Sequence, residues 1–475
     1  MKKIALFAFL TAAGFQVAAQ NVVITGKVTN AENDSVVIAL PDNPFDTRAK
    51  KTYAKLDEKG EFRLAVQVDK PVLADFSNGE DGTTLFLQPG DNLDVRFKAE
   101  EILTSIKFKG QGAAENTYLR EQEIKFEENE GYQVLPDNIY MREAGFVKFI
   151  DAKKEDQDDF LKKYIAKGTL SEAFQKFAQA QIDFTWANDR ITYPDLREQI
   201  VFAEKRLIMT PEYYSFVKQL NLNNPAALIS PVYNDFIMNY VNHLSAEAKT
   251  KKTDINYFYN IFEIAKTKLN GDALNLLQAR IIFESCKAGH IGFTERMMNE
   301  FNQTNNNPKY AALLTETYEK NKKFAIGSLA PNFVLTTVNG DTVSLEDYKG
   351  KLVYLTFWDT NCGLCLMDMP HAQELARKMA GQQIVFLNVG MDKDEKAWKT
   401  MVNGKSLAGV NAYGKASSED LRKLYNLPDG PAYFLIAEDG TFLSTKPKRP
   451  SSHGATEEIA QSFGKAANTA TALNK

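Results

Sequence analysis

Residues 352–370, LVYLTFWDTNCGLCLMDMP, decide how the C-terminal third of this chain is read. Val353–Phe357 is a nearly unbroken apolar run of strand length, the mark of a strand buried on both faces. It leads directly into Cys362-Gly363-Leu364-Cys365, and a helix follows at once. A cysteine at such a turn sits on a helix N-terminus, where unpaired amides and the helix dipole favour the thiolate. The thiolate is the attacking species in disulfide exchange. The spacing sets the second sulfur one turn deeper, within reach of a disulfide to the first. Cys362 is therefore the candidate nucleophile and Cys365 the candidate resolving thiol. Two other uses of the pair remain open on the residues alone. One is a purely structural disulfide, which needs neither a buried strand nor a helix start. The other is a soft-metal site drawing on Met367, Met369 and His371. Against the second, Met367 and Met369 are two apart on a helix and point away from each other.

Outward from this stretch, strands and helices alternate. Val334–Thr337 and Val343–Leu345 read as a hairpin around Asn339-Gly340-Asp341, and Ile384–Val389 and Tyr433–Ile436 read as strands. Pro370–Met379, Lys393–Val402, Ser418–Tyr425 and Thr456–Leu473 read as helices. Such alternation implies an α/β unit with a central sheet. Residues 21–112 carry a period of two instead. Seven short strands are expected there, and Phe62, Leu64, Val66 and Val68 alternate with Arg63, Ala65 and Gln67. Turn chemistry at Asp57-Glu58-Lys59-Gly60, Asn78-Gly79 and Pro89-Gly90-Asp91 separates them. The expectation is a small antiparallel β-sandwich or barrel. From residue 114 to 325 the period becomes 3.6, with stripes such as Leu170, Phe174, Phe177, Ala178 and Ile182, and breaks at Pro136, Pro194, Pro211, Pro225 and Pro231. This is an all-α segment. Its acidic cluster Glu127, Glu128, Glu130 and the mixed run Lys153–Asp159 read as solvated helix ends. The plan is thus a signal peptide at 1–20, a β-rich domain at 21–113, a helical domain at 114–325 and an α/β domain at 326–475.

The chain has 475 residues, 44% hydrophobic and 25% charged, with a net charge of −4. That composition is globular, and the charge provides no positive field to hold nucleic acid. Three cysteines are too few for a disulfide-stapled scaffold or a four-thiolate zinc site. Lys2 and Lys3, the apolar stretch Ile4–Val17 and the small residues Ala18 and Ala19 form a secretory signal peptide. No later run approaches the roughly 20 apolar residues of a transmembrane helix. The mature chain is therefore expected in the periplasm, without a membrane span, in a space that permits disulfides.

Ala330-Pro331-Asn332-Phe333, the turn Tyr348-Lys349-Gly350-Lys351, Phe357-Trp358, the cysteine pair and Pro370 together resemble the thioredoxin-like proteins of the TlpA group, related to the AhpC/TSA proteins. Gly390-Met391-Asp392 with Trp398, and LPDGPAYFLIAEDG at 427–440, agree with that resemblance. It covers about 150 residues and implies a thioredoxin-like fold and thiol-disulfide oxidoreductase activity. It also implies a substrate-facing set of Trp358, Gly430 and Pro431, with a cis bond before Pro431 and the backbone of Gly430 pairing with an extended substrate. The Cys362–Cys365 disulfide would itself be the redox group, with no further cofactor and no metal. Residues 21–113 resemble the small β-domain of unknown role that precedes such modules in exported proteins. Implied partners are disulfide-containing or thiol proteins of the envelope, and a membrane electron donor.

Three departures bear on the chemistry. Asn361 stands where thioredoxins carry tryptophan, Leu364 where the dipeptide between the cysteines often has proline, and Thr356 where thioredoxin buries an acid serving the second cysteine. These leave the direction of electron flow open. A peroxiredoxin-type peroxidase shares the Ala-Pro-x-Phe opening, but Leu355 and Asp359 do not fit its P-x-x-x-T/S-x-x-C frame. GVNAYGKA at 409–416 nearly matches a phosphate-binding loop, yet alanine replaces the hydroxyl residue that would hold magnesium. Cys286, among Ile281, Ile282 and Phe283, reads as a buried inert thiol, and His243, His290, His371 and His453 are too scattered for a metal triad. The expected function is an exported reductase of envelope disulfides. A partner-binding scaffold with a thioredoxin-like docking module, or a disulfide oxidase or isomerase, are the alternatives.

Overall fold

The period-two pattern of the first hundred residues becomes two four-stranded sheets. The computed structural model describes residues 21–46, 48–201, 207–252, 254, 256–305, 307–414 and 419–463. The signal-peptide reading and the end of the expected terminal helix, residues 464–473, lie outside them. The chain divides into two compact units, residues 1–239 and 240–475.

In the first unit, β1 (Val22–Thr29), β4 (Glu61–Val66), β7 (Asn92–Lys98) and β8 (Lys107–Gln111) form one sheet in the order β4-β1-β7-β8. β2 (Ser35–Pro41), β3 (Ala49–Lys55), β5 (Val72–Ser77) and β6 (Gly82–Leu87) form the other, in the order β3-β2-β5-β6. Alternate residues of both sheets, among them Ile24, Leu64, Val95, Ile38, Phe76 and Leu85, meet in one core. Pairing is antiparallel except between β1 and β7, which run parallel. β8 was not expected because its sequence, KFKGQ, has no apolar alternation; its main chain pairs with β7 while its side chains stay largely in solvent.

A short helix, α1 (Ile102–Ser105), precedes β8, and four longer helices follow it: α2 (Ala113–Gln122), α3 (Glu143–Ile165), α4 (Glu172–Ile200) and α5 (Pro231–Glu247). Two expectations are corrected here. Pro194 does not break a helix, because α4 runs through it. Proline removes the amide that would bond to the carbonyl four residues back. That carbonyl belongs to Arg190, and the Tyr213 hydroxyl donates to it at 2.6 Å instead, while the Arg190 guanidinium donates to the Tyr213 carbonyl at 3.0 Å. The run Lys153–Asp159 is not a helix end but the middle of α3. Lys153 is buried there and lies 3.7 Å from Asp189 of α4, so part of the charge pattern serves the helix pair and not the solvent.

The boundary between the units falls within α5, so the helical segment is shared. The second unit continues with α6 (Tyr257–Lys268), α7 (Gly271–Lys287), α8 (Thr294–Thr304) and α9 (Pro308–Asn321). A seven-stranded sheet follows, made of β9 (Val334–Thr337), β10 (Thr342–Ser344), β11 (Leu352–Trp358), β12 (Ile384–Gly390), β13 (Val410–Tyr413), β14 (Ala432–Ile436) and β15 (Phe442–Ser444). Its order is β10-β9-β13-β12-β11-β14-β15. Helices α10 (Gly363–Lys378), α11 (Glu395–Lys405), α12 (Glu419–Tyr425) and α13 (Ala455–Ala460) connect or follow the strands. β11, β12 and β13 are parallel, and β14 is antiparallel to β11. This is the α/β arrangement with a central sheet that alternation suggested, and the thioredoxin-like fold that the resemblance implied. β13 and β15 were not expected; β13 lies within the stretch 409–416 that nearly matched a phosphate-binding loop.

β11 explains the apolar run. Val353, Leu355 and Phe357 enter one core with Phe434 and Tyr425, whereas Leu352 and Tyr354 enter a second core with Leu375 and Tyr433. Burying such a side chain is worth about 1.5–3 kcal/mol, so both faces anchor the strand that delivers the cysteines. Among the described residues, no helix is long and apolar enough to cross a membrane.

Candidate active site

The turn Asp359–Asn361 ends β11 and hands the chain to α10. It is held locally: the Asn361 amide donates to Asp359 Oδ1 at 2.8 Å and the Cys362 amide to the Asp359 carbonyl at 3.2 Å. Cys362 then occupies the N-cap of α10, its sulfur accepting from the Cys365 amide at 3.1 Å. Cys362 and Cys365 are joined as a disulfide with Cα atoms 5.2 Å apart. The two sulfurs are not equivalent. Cys362 is half-buried, whereas Cys365 is 5% exposed and packs with Trp358, Trp398 and Val402. Around the pair Leu364, Leu366 and Met367 stand exposed on the first turns of α10, and His371 is exposed one turn further on.

Register brings the remaining expected residues to this edge. Phe357 faces Ala432 across the antiparallel β11–β14 pair, so Gly430 and Pro431, just before β14, lie beside the carboxyl end of β11 where the disulfide sits. Ligand sites of such sheets collect at that edge. Two corrections follow. The Gly430–Pro431 bond is trans; among the described residues the cis X–Pro bond is Leu135–Pro136. Gly430 turns the chain into β14 at φ 130°, a conformation that side chains rarely adopt, and the approach to the strand is made by this glycine. Trp358 is not on the outer surface. It is 5% exposed and forms part of the wall of a cavity behind the disulfide.

That cavity offers about 50 Å³ to the centres of water-sized molecules, and Cys365, Thr356, Trp358, Asp368 and Tyr433 are among its walls. The space is enough for a few waters. Thr356 occupies the place of the missing thioredoxin acid, but a carboxylate is present all the same. Asp368, three residues after Cys365 on α10, is 2% exposed. Its Oδ2 accepts from the Tyr433 hydroxyl at 2.6 Å and from Arg449 Nε at 2.8 Å, and its Oδ1 from the Ser451 hydroxyl at 2.5 Å. Burial pushes the Asp368 carboxyl up, but the bonds from Arg449, Ser451 and Tyr433 and the charge of Arg449 outweigh it and hold it below the usual carboxylate range. Helical spacing alone could have singled out Asp368, since residues three apart share a face. Arg449 and Ser451 carry no such signal, being more than eighty residues away.

A second buried acid is tied to the turn that precedes the pair. Asp392 follows β12, and its Oδ1 accepts from the Thr360 amide at 2.9 Å and from the Thr360 hydroxyl. Nearby, Trp398 lies directly over Gly390, where a Cβ would come within 2.2 Å of its indole nitrogen.

Comparisons with known proteins find relatives of the C-terminal part of the chain. Residues 326–442 match the AhpC/TSA family. The thiol-disulfide oxidoreductase ResA of Bacillus cereus is 31% identical over 166 residues, covering 35% of this chain and 84% of the relative. The chain belongs to the thiol-disulfide oxidoreductases. The protein of the same name from Bacillus subtilis is 45% identical over 118 residues, covering 24% of this oxidoreductase and 63% of the relative. The solved thioredoxin domain of a thiol-disulfide oxidoreductase from Bacteroides vulgatus is 22% identical, covering 29% of this chain and 97% of its own, at a TM-score of 0.27.

The third cysteine of the oxidoreductase stands apart. Cys286 is 1% exposed within α7, and burial pushes its thiol up to about 12, so it remains protonated and unreactive at neutral pH.

Proposed function

We propose that this oxidoreductase is exported and reduces disulfides of envelope proteins through a dithiol cycle at Cys362 and Cys365. The observation that carries this reading is the unequal exposure of the two sulfurs: a substrate disulfide can approach the half-buried Cys362, while Cys365 is buried beneath it. In the reduced enzyme the Cys362 thiolate attacks one substrate sulfur, forming a mixed disulfide and expelling the other as a thiolate. Cys365, once deprotonated, attacks Cys362 Sγ. This closes the enzyme disulfide and releases the substrate as a dithiol, so two electrons pass from enzyme to substrate. The proton of Cys365 leaves through the cavity, where water and the Asp368 carboxylate are in reach.

Gly430 and Pro431 would border the substrate segment, Gly430 offering main-chain groups to an extended strand. The exposed Leu364 and Met367 would cover apolar residues beside the substrate cysteine. No cofactor beyond the disulfide enters this cycle. Electrons to restore the dithiol would come from a membrane donor, because an exported reductase lies outside the reach of soluble NADPH systems. The test is a pair of substitutions. Cys362→Ser is expected to abolish turnover, and Cys365→Ser to accumulate mixed disulfides with partners. Turnover retained in the Cys362→Ser protein would sink the reading. A reduction potential at or below about −250 mV is expected of a reductase, whereas one near about −120 mV would make the protein an oxidant.

A further inference from the structure

Asp392 is used by nothing in the cycle above, yet it is placed against the segment that presents the nucleophile. It follows β12 directly and is 2% exposed. The strand end it sits on is tied on both sides. The Met391 amide donates to the Trp358 carbonyl at 2.8 Å, and the Tyr413 hydroxyl donates to the Asp392 carbonyl at 2.8 Å. From this fixed base, Oδ1 holds both the amide and the hydroxyl of Thr360, the residue two before Cys362. Oδ2 is buried and has no hydrogen-bond partner among the described residues. A buried carboxylate oxygen without a donor is costly to charge, so the ionised form of Asp392 is poorly solvated on that side.

We propose that Asp392 is a positioning residue that sets the reactivity of Cys362, bracing the Asp359–Asn361 turn through Thr360 and presenting a titratable charge at the turn that leads into Cys362. This rests on the reading of Cys362 as the nucleophile. Asp392 is buried at the turn before Cys362, and its ionised carboxylate and the thiolate are like charges, so ionisation of Asp392 disfavours the thiolate and a neutral carboxyl relieves it. Burial, aided by the charge of Asp359, pushes the Asp392 carboxyl above its ordinary range against the opposing bonds from Thr360. The charged and titratable groups that interact with it are Asp359, in the turn it braces, and Tyr413 on β13; Asp394 and Glu395 at the start of α11 act on Tyr413. The Asp359 carboxylate acts in the same direction as burial. Asp392 would thereby make the thiolate population of Cys362 depend on a second titration besides its own.

The test uses the full chain, with iodoacetamide as the probe of Cys362 in the reduced protein and a glutathione buffer for the equilibrium. Asp392→Asn keeps an oxygen for Thr360 and removes the charge. It is expected to speed alkylation of Cys362 by about threefold or more at neutral pH, shift the pH profile of that rate to lower pH, and move the dithiol–disulfide equilibrium toward the dithiol by a similar factor. Thr360→Val removes one donor that favours the ionised carboxyl and is expected to shift the profile the same way by a smaller amount. This second variant keeps the proposal testable if Asp392→Asn folds poorly. Profiles and equilibria that match the wild type in both variants would overturn it and leave Asp392 a brace only. Failure here is distinct from failure of the dithiol cycle, since alkylation and the glutathione equilibrium are read without substrate turnover.

Discussion

Removing the Asp368 carboxylate tests the internal support of the active-site helix most directly. Asp368→Ala deletes the acceptor of three hydrogen bonds, from Tyr433, Arg449 and Ser451. The costs differ by partner. The Arg449 side chain is 38% exposed and regains water when released, so its share is discounted to the scale of a surface pair, about 0.5–1 kcal/mol. Ser451 can turn its hydroxyl to another acceptor. Tyr433 is 8% exposed, and its hydroxyl is left facing the space that the carboxylate filled, a loss of about 1–3 kcal/mol. Together these predict a loss of about 1.5–4 kcal/mol, concentrated on β11, β14 and α10. Hydrogen exchange of β14 amides in the oxidised full chain reads this locally, without assuming that the two units unfold together. Asp368→Asn should lose less, because its oxygen still accepts from Arg449 and Tyr433 while its amide donates to Ser451. The pH dependence has a definite sign. A carboxyl held below its ordinary value in the folded protein contributes stability above the unfolded value, near about 3.9, and loses it as pH falls through the folded one. The gap between wild type and Asp368→Asn is therefore full near neutrality and closes in acid. A change below about 0.5 kcal/mol at neutral pH, or a gap that widens in acid, would refute the role assigned to these bonds.

Tyr213→Phe deprives the Arg190 carbonyl of the donor that stands in for the missing Pro194 amide, and is expected to lower the stability of the first unit by about 1–2 kcal/mol in urea unfolding, with a kink or frayed end in α4 seen by hydrogen exchange. Cys286 is expected to resist iodoacetamide in the native reduced protein at mildly alkaline pH while Cys362 reacts. Mass mapping of the alkylated peptides checks this, and equal labelling of both would show that α7 opens on the timescale of the reaction.

Much of the site was legible because its chemistry is local. A buried strand, a CxxC pair and a helix start lie within fourteen residues, and period and composition identify each without reference to distant parts of the chain. The same holds for the two sheets of the β-domain, since alternation along a strand dictates which side chains can share a core. Local reasoning went wrong where a distant group supplied what the local segment lacked. Pro194 stays inside α4 because Tyr213 donates to the orphaned carbonyl, and Lys153 sits in a helix interior because Asp189 faces it from α4. β8 has no apolar signal, since its place is set by main-chain pairing with β7.

By itself, then, the sequence of this oxidoreductase determined the candidate cysteine pair, the order of its classes of structure and the strand that carries Cys362. Only the tertiary structure decided what surrounds the pair: Asp368 held by Arg449, Ser451 and Tyr433, Asp392 bonded to Thr360, and Trp358 as a cavity wall instead of an outer contact. The reason is that a periodic pattern reports which face of an element is buried, whereas the partner met on that face depends on strand order and crossover, which bring residues thirty to eighty positions apart to one edge of the sheet.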